Sequence, residues 1–402
     1  MDIDWHDTEN VLSGHKNKLK DIESTVRVAA FDLDDTLIHR PKSRKGKEDP
    51  WKLTNSDLNS YIRDLVNDGY LIVIFSNQSG MSTGKNFNHD EWMEGVSELA
   101  ELMFKGIKRF YFAVYAAKKY DMYRKPNRGM WNLMKSDLEE TFNVEKIKIS
   151  KKSFFCGDAA GRKYQSIFRK KIYPKGKAGD FSDTDRKFAM NIGIDFLTPE
   201  EFFLENHADN EYTLSGITSA KMDEILKQEP EEYEFTPRKK EIIVTVGLPA
   251  SGKSSFVKKY IVPKGYDYIS RDELKSEKKV MEALENSLSE GNKIVLDNTS
   301  PDTQTRMKIT TLAKKHGYKH IRALVFDYDM HFLKHMNNVR HIYSDGDIPK
   351  INNITYAVFK NKFTRPEKYE HFDKIEYIPF MLDPEMVNDK KWMKSFRTLS
   401  ES

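Results

Sequence analysis

The chain has 402 residues, 32% of them charged, and a formal net charge of only +4. It is therefore long enough for more than one domain, and any nucleic-acid-binding surface would have to be local. A lone cysteine, Cys156, excludes an intrachain disulfide framework and is expected to be buried within its apolar run. With no secretion signal and no apolar run long enough to cross a bilayer, we expect a soluble intracellular protein.

Short apolar runs alternate with segments of helical spacing, which predicts α/β domains with parallel, buried strands in three α/β/α layers. The expected strands are 26–31, 71–75, 110–115, 153–156, 242–246, 266–269, 293–296 and 323–326, and the expected helices include 56–66 and 90–103. An acidic, proline-containing stretch, 227–240, is expected to be a linker between domains at 1–226 and 241–402. Ligands should bind at the carboxyl ends of the strands.

Two acids follow the first predicted strand at a spacing of two, Asp32 and Asp34. This pattern suits phosphoryl transfer, with Asp32 attacking phosphorus to form an aspartyl-phosphate. Asp34 would protonate the leaving oxygen and then deprotonate the attacking water. Since a phosphate monoester is itself anionic, a divalent cation is expected, with Asp32, Asp34 and Asp158 as its ligands. A polar turn is the alternative interpretation.

Polar residues also follow the next predicted strands. The segment 76–78 offers the Ser76 hydroxyl and two amides to a phosphoryl oxygen, and Lys125 offers a positive charge. This order of motifs resembles the haloacid-dehalogenase-type phosphatases over about residues 25–205. The resemblance implies a further late acid with an orienting role, for which Asp185 is the first candidate and Asp183 the second.

The segments between these motifs are too short for a domain-sized cap, so the site is expected to be uncapped and able to admit the end of a polymer. Two basic stretches flank it, 40–47 and 162–177. We interpret them as the sides of a groove for a phosphodiester backbone, with ordinary solvated surface as the alternative.

Residues 247–254, GLPASGKS, match the pattern of a phosphate-binding loop between a strand and a helix. Glycines let backbone amides approach phosphate oxygens, Lys253 would reach the β- and γ-phosphates of ATP, and Ser254 would bind Mg²⁺. The residues predicted to bind the nucleotide are Gly247, Ser251, Gly252, Lys253, Ser254, Ser255 and Arg340.

Acids after the next strands favour a kinase that phosphorylates hydroxyl groups. Asp272 is placed to accept the proton of the acceptor hydroxyl, with a helix N-cap as the alternative role. Asp297 resembles a Walker B acid that holds Mg²⁺. Arg340 could close over ATP and stabilise the transferred phosphoryl group, with plain helix surface as the alternative.

Taken together, the chain resembles the polynucleotide kinase 3′-phosphatase family in the phosphatase-then-kinase order of its animal members. The motifs that carry the resemblance are 31–38 (FDLDDTLI), 74–80 (IFSNQSG), 123–131 (YRKPNRGMW), 157–162 (GDAAGR), 247–254, 271–272 and 297–302 (DNTSPD). The resemblance implies removal of 3′-phosphates and phosphorylation of 5′-hydroxyls, with Mg²⁺ and ATP, at DNA ends. RNA ends, a metabolite substrate and a non-catalytic scaffold are the alternatives.

Further expectations rest on the same resemblance. They are a nuclear or cytoplasmic monomer, and no docking to phosphorylated proteins, because no forkhead-associated domain is expected before the first predicted strand. Two departures from the family pattern stand out. Asp35 takes the place of a usual glycine, and Arg340 is offset by one residue from its expected position after paired asparagines.

Overall fold

The computed structural model describes residues 1–39, 51–84, 87–163, 179–204, 211–228 and 233–401. The chain folds into two compact units, Met1–Ser219 with Thr398–Ser402, and Ala220–Arg397. The predicted linker lies within the second unit, and the last residues group with the first. Over the described ranges, no helix combines the length and apolar character that a bilayer span requires.

A mixed sheet forms the centre of the first unit. Its strands are β1 (Asp4–Asp7), β2 (Val11–Asn17), β3 (Thr25–Phe31), β6 (Tyr70–Asn77), β7 (Tyr111–Ala117), β8 (Lys148–Ile149), β9 (Phe154–Cys156) and β10 (Asp195–Leu197), and a separate pair comprises β4 (Ile38–His39) and β5 (Lys52–Leu53). The order is β1-β2-β7-β6-β3-β9-β10, with β8 also beside β3. Pairing is parallel from β7 to β10, whereas β1 and β2 add an antiparallel edge.

Helices cover both faces of this sheet. They are α1 (Leu58–Asn67), α2 (Gly80–Thr83), α3 (His89–Met103), α4 (Gly129–Thr141), α5 (Thr184–Ile192) and α6 (Pro199–Leu204). Because side chains alternate along a strand, Ala29 and Phe31 of β3 join one apolar core while Val28 and Ala30 join another. The result is the predicted three-layer arrangement.

The second unit has its own sheet, parallel throughout, in the order β12-β13-β11-β14-β15. The strands are β11 (Glu241–Gly247), β12 (Asp267–Ser270), β13 (Ile294–Asp297), β14 (His320–Phe326) and β15 (Lys374–Tyr377). The helices are α7 (Ser219–Leu226), α8 (Lys253–Tyr260), α9 (Arg271–Leu274), α10 (Glu277–Glu290), α11 (Thr303–Lys315), α12 (Met330–Tyr343), α13 (Asn353–Lys362), α14 (Pro384–Asn388) and α15 (Lys390–Phe396), with short 3-10 turns at Val262–Lys264 and Lys368–Glu370. Two apolar cores again flank the sheet.

The structure confirms the predicted α/β class and the eight predicted strands, but two local expectations differ. The sequence does not indicate the hairpin of β1 and β2, because these strands are largely polar and half-exposed. Part of the expected linker is an integral part of the second unit, since the Phe235 ring is buried and the Tyr233 ring lies 4.8 Å from that of Phe256 in α8. Aromatic residues set among the acids supply the surface that this segment buries.

Candidate active sites

The first site begins where β3 ends. Asp32 follows the last residue of that strand, is 8% exposed, and donates its backbone N–H to the carbonyl of Cys156 at the end of β9 (2.8 Å). Asp35 has a φ of 57°. This left-handed conformation is free for glycine and tolerated by aspartate. The backbone therefore explains why glycine suits this position and why aspartate can replace it.

A buried lysine bridges two carboxylates of this site. The Nζ atom of Lys125 lies 2.5 Å from Oδ1 of Asp32 and 2.7 Å from Oδ1 of Asp185. Asn77 fixes the lysine backbone, accepting from its N–H (2.9 Å) and donating to its carbonyl (3.1 Å). Burial lowers the pKa of Lys125, but Asp185 and Asp32 more than compensate and leave that pKa raised. The lysine is therefore a built-in cation beside the predicted nucleophile.

Three carboxylates could hold a metal ion here, those of Asp32, Asp158 and Asp185, whose ligand atoms all lie within 4.8 Å of one another. Burial raises the pKa of Asp32 to about 8, because Lys125 only partly offsets it and the other acids add like charge. Burial likewise raises the pKa of Asp158 well above its usual range. The cluster thus carries more potential negative charge than one lysine balances, and hard carboxylate oxygens suit Mg²⁺. Asp34, also predicted as a ligand, is outside this group.

The structure brings Asp185 rather than Asp183 to the site. Oδ2 of Asp185 accepts from the backbone N–H of Ala159 (3.0 Å), and a Cβ atom on Gly157 would lie only 2.4 Å from it. A glycine is therefore required where the loop after β9 passes this carboxylate. Asp183 instead pairs with Lys187 at 3.0 Å, away from the metal-binding group.

Gln78 connects the other two predicted residues of the site. Its Nε2 atom donates to Oδ2 of Asp34 (2.6 Å) and to Oγ of Ser76 (2.8 Å). The sequence suggested amide donors for a phosphoryl oxygen here. The geometry adds a second task, which is to orient the predicted acid beside the predicted hydroxyl donor.

The predicted basic groove is not borne out at Arg162. That side chain is buried and pairs with Asp180 (2.9 Å) and Glu200 (2.7 Å), so its charge is used inside the fold. A charge run counted along the sequence does not reveal such internal pairing. Residues 40–47 and 164–177 of the same predicted groove lie outside the described residues.

The second site is the loop between β11 and α8. Gly252 has a φ of 81°, in the left-handed region, and the helix starts at Lys253. The Nζ atom of Lys253 reaches back across the loop, donating to the Leu248 carbonyl (2.7 Å) and to Oγ of Ser251 (3.2 Å). Loop and helix N-terminus together form the anion-binding geometry that the motif predicts.

A cavity of about 860 Å³ opens over this loop. The predicted residues that line it are Ser251, Gly252, Lys253, Ser254, Ser255, Asp272, Asp297 and Arg340, whereas Gly247 is not among its lining residues. Burial lowers the pKa of Lys253 to about 8, and the carboxylates of Asp297 and Asp272 offset this only in part. The loop lysine therefore lies in a cavity in which a further negative charge would stabilise it.

Asp272 does not cap the helix, which corrects the alternative role considered for it. Ser270 caps α9 by accepting from the backbone N–H of Asp272 (3.2 Å), and the Asp272 carboxylate lies in the first turn. Arg340 donates to Oδ1 of Asn337 (3.2 Å) and to the Pro349 carbonyl (3.3 Å). These contacts hold its guanidinium at the wall of the cavity.

A carboxylate cluster with an internal lysine on one α/β sheet, and a phosphate-binding loop on another, define a two-domain enzyme that combines a phosphatase with a kinase. A sequence model of the family described as polynucleotide kinase 3 phosphatase matches residues 27–203. The chain belongs to the bifunctional polynucleotide phosphatase/kinase family, as two relatives matched over nearly its whole length indicate.

The first relative, from Acanthamoeba polyphaga mimivirus and named provisionally as a bifunctional polynucleotide phosphatase/kinase, is 48% identical over 99% of this chain and 95% of its own length. The bifunctional polynucleotide phosphatase/kinase of Schizosaccharomyces pombe is 30% identical over 94% of this chain and 85% of its own length. The polynucleotide 3′-phosphatase of Saccharomyces cerevisiae is 30% identical over 45% of this chain and 89% of its own length.

Proposed function

We propose that the first unit removes 3′-phosphates from nucleic-acid ends and that the second unit phosphorylates 5′-hydroxyls with ATP, which together prepare a broken strand for ligation. The observation that carries the proposal is that each sheet has its own phosphoryl-transfer site at the carboxyl ends of its strands. The names of the relatives supply the polymer substrate, and DNA ends are the substrate that we favour.

In the phosphatase, Oδ of Asp32 attacks phosphorus and the bond from phosphorus to the 3′-oxygen breaks. Asp34, held by Gln78 at 2.6 Å, gives its proton to that departing oxygen. The same carboxylate then takes a proton from water, which attacks the aspartyl-phosphate and releases inorganic phosphate. Ser76 donates to a phosphoryl oxygen, and the Lys125 ammonium opposes the charge that builds up between nucleophile and phosphate.

Mg²⁺ fits the carboxylate group of the first unit, where Asp32, Asp158 and Asp185 would hold it. When bound, the ion would neutralise the repulsion between an anionic nucleophile and a dianionic ester. In the second unit the loop hydroxyl of Ser254 and the carboxylate of Asp297 are the residues that would hold it beside ATP.

The order of the strands gives the kinase cavity two different sides. On the side of β14 and β15 the lining is largely apolar and includes Phe326, Tyr328, Phe332, Phe380 and Met381, beside the paired Lys259 and Asp383. On the side of β12 and β13 it is polar and charged, and includes Arg271, Asp272, Asp297, Asn298 and Lys308. The phosphate-binding loop follows β11 between them. We therefore assign the nucleoside of ATP to the apolar side and the acceptor strand to the charged side.

The acceptor then lies beside Asp272, which takes the proton from the 5′-hydroxyl as its oxygen attacks the γ-phosphorus. Lys253 contacts the phosphates from the loop, and Arg340 opposes the charge on the phosphoryl group during transfer. The bond from the γ-phosphorus to the bridging oxygen breaks and ADP leaves.

A nicked duplex with 3′-phosphate and 5′-hydroxyl ends tests both halves of the proposal in one assay, run with and without ATP. Asp32→Asn should abolish release of the 3′-phosphate and spare 5′ labelling. Lys253→Ala should do the opposite, because each residue serves a different site.

Two results would contradict the proposal. If Asp32→Asn still released the 3′-phosphate, the aspartyl-phosphate mechanism would be wrong. If either variant lost both activities, the assignment of the two activities to separate sites would be wrong. The assay should include single-stranded and RNA versions of the same ends. If RNA ends are turned over faster than DNA ends, RNA becomes the favoured substrate.

A further inference from the structure

Residues 398–401 follow the kinase in sequence but pack into the first unit. We call them the C-terminal segment. Thr398 and Leu399 are each 2% exposed and Ser400 is 5% exposed. Threonine and serine are mostly exposed in folded proteins, so the burial of Thr398 and Ser400 indicates a specific set of contacts.

The backbone of the segment is held by two side chains of α5. Asn191 pairs with Leu399 as one peptide group pairs with another, donating to its carbonyl (2.8 Å) and accepting from its N–H (2.8 Å). Lys187, which is fully buried, donates to the Ser400 carbonyl (3.0 Å). The helix that carries these residues also carries Asp185.

The same segment touches the loop that carries Lys125. Arg124 binds the Glu401 carboxylate through two donors, Nε at 3.0 Å and one terminal nitrogen at 3.3 Å. Asn191 also donates to the carbonyl of Pro126 (2.9 Å), which follows Lys125 in the chain. Contacts on both sides of the lysine therefore lead to the segment.

We propose that the C-terminal segment is a positioning element of the phosphatase, which fixes the Lys125 loop against α5 so that Lys125 and Asp185 stay in contact. This inference rests on the roles proposed above for those two residues. Ion pairs at 2.5 and 2.7 Å leave little room for the loop to shift relative to the helix. A displacement of about 1 Å at a catalytic group can cost on the order of 100-fold in rate.

The test removes the segment from the otherwise complete chain by ending it after Arg397. Phosphatase kcat on a 3′-phosphorylated oligonucleotide should fall about tenfold, with the KM changed less than about twofold, since no residue proposed to bind the polymer is removed. Kinase kcat should be unchanged. Rates are measured well below the midpoint temperature of unfolding of the shortened chain, where nearly all molecules are folded. If the segment only stabilised the fold, kcat per folded molecule would be unchanged under these conditions.

A milder pair of variants covers the case in which the shortened chain does not fold. Arg124→Ala and Glu401→Ala should each lower phosphatase kcat, and the double variant should lower it no further than the larger single effect, as expected for two residues that act through one contact. The matched control is Glu9→Ala, which removes a different carboxylate of the first unit. Glu9 pairs with Lys119, so this variant should leave kcat unchanged.

Full phosphatase kcat in the shortened, folded chain would overturn the proposal, and so would full kcat in Glu401→Ala if the shortened chain is unfolded. Additive losses in the double variant would also overturn it. Failure of the proposed phosphatase function would give a different result, because the unaltered protein would then release no 3′-phosphate at all.

Discussion

The two active sites use a buried lysine in opposite ways. Lys125 contacts two carboxylates of its own protein, and these raise its pKa in spite of burial. Lys253 donates hydrogen bonds to a carbonyl and to a hydroxyl, and burial lowers its pKa to about 8. The phosphatase therefore supplies its own counter-charge, whereas the kinase depends on its ligand for one.

This difference fits the two reactions. In the proposed mechanism Asp32 must be an anion when it approaches an anionic ester, and burial raises its pKa, so a fixed cation beside it is useful before any substrate arrives. ATP brings several negative charges of its own, and Lys253, which contacts a carbonyl and a hydroxyl among the described residues, can pair with them.

The largest expected effect is on stability in the absence of divalent ions. Lys125→Met would leave Asp32 and Asp185 facing each other uncompensated, and should lower the free energy of unfolding of the first unit by about 3–5 kcal/mol. Lys253→Met removes a charge that no carboxylate of the described residues contacts, and should change the free energy of unfolding of the second unit by less than about 1 kcal/mol. Hydrogen exchange resolved by peptide, across a denaturant series with EDTA, reports each unit separately. Equal losses of unfolding free energy in the two variants would contradict the difference that we infer between the two lysines.

The next effect is on the phosphatase rate. Asp185→Asn keeps the side-chain shape but removes the charge that pairs with Lys125, so phosphatase kcat should fall about 100-fold at saturating Mg²⁺. Asp183→Asn is the matched control, because that acid pairs with Lys187 instead. It should lower stability but keep kcat within about threefold. Equal losses of kcat in both variants would mean that contact with Lys125 does not distinguish the two acids.

The choice between these two acids shows where sequence reasoning ends. The strands and motif residues such as Asp32 and Lys253 are predictable because each signal is local. Asp32 directly follows an apolar run, and Lys253 belongs to a contiguous phosphate-binding loop motif. Asp185 and Asp183 have the same local setting, and only the packing of α5 against the loop after β9 separates them. The burial of Arg162 and of residues 398–401 could not be predicted for the same reason, since the residues that they contact are distant in the chain.

A smaller effect concerns pH and the kinase lysine. In the free protein the pKa of Lys253 is about 8, so the lysine is charged below pH 8 and loses its proton above it. ATP favours the charged form, so binding is flat with pH below 8. Above pH 8 the affinity should fall by up to tenfold per pH unit, and binding should take up a proton.

Calorimetry of a non-hydrolysable ATP analogue, in buffers of different ionisation enthalpy, measures that proton directly. Lys253→Arg provides the control, because a guanidinium stays charged throughout this range and should remove both the slope and the proton uptake. The same slope in Lys253→Arg would assign the titration to another group and weaken the comparison of the two lysines.

The smallest effect compares the two loops rather than the two lysines. Asp35 and Ala250 each adopt a left-handed conformation beside their site, with φ of 57° and 64°. Ala250→Gly should raise the free energy of unfolding of the second unit by about 0.5 kcal/mol, because glycine removes the steric cost but adds flexibility to the unfolded chain. Asp35→Gly should gain less in the first unit, since aspartate already tolerates this conformation. Denaturant unfolding followed by peptide-resolved hydrogen exchange measures the unfolding free energy of both units. A larger gain in stability from Asp35→Gly would mean that repulsion among the neighbouring acids, rather than backbone geometry, destabilises the first unit at this position.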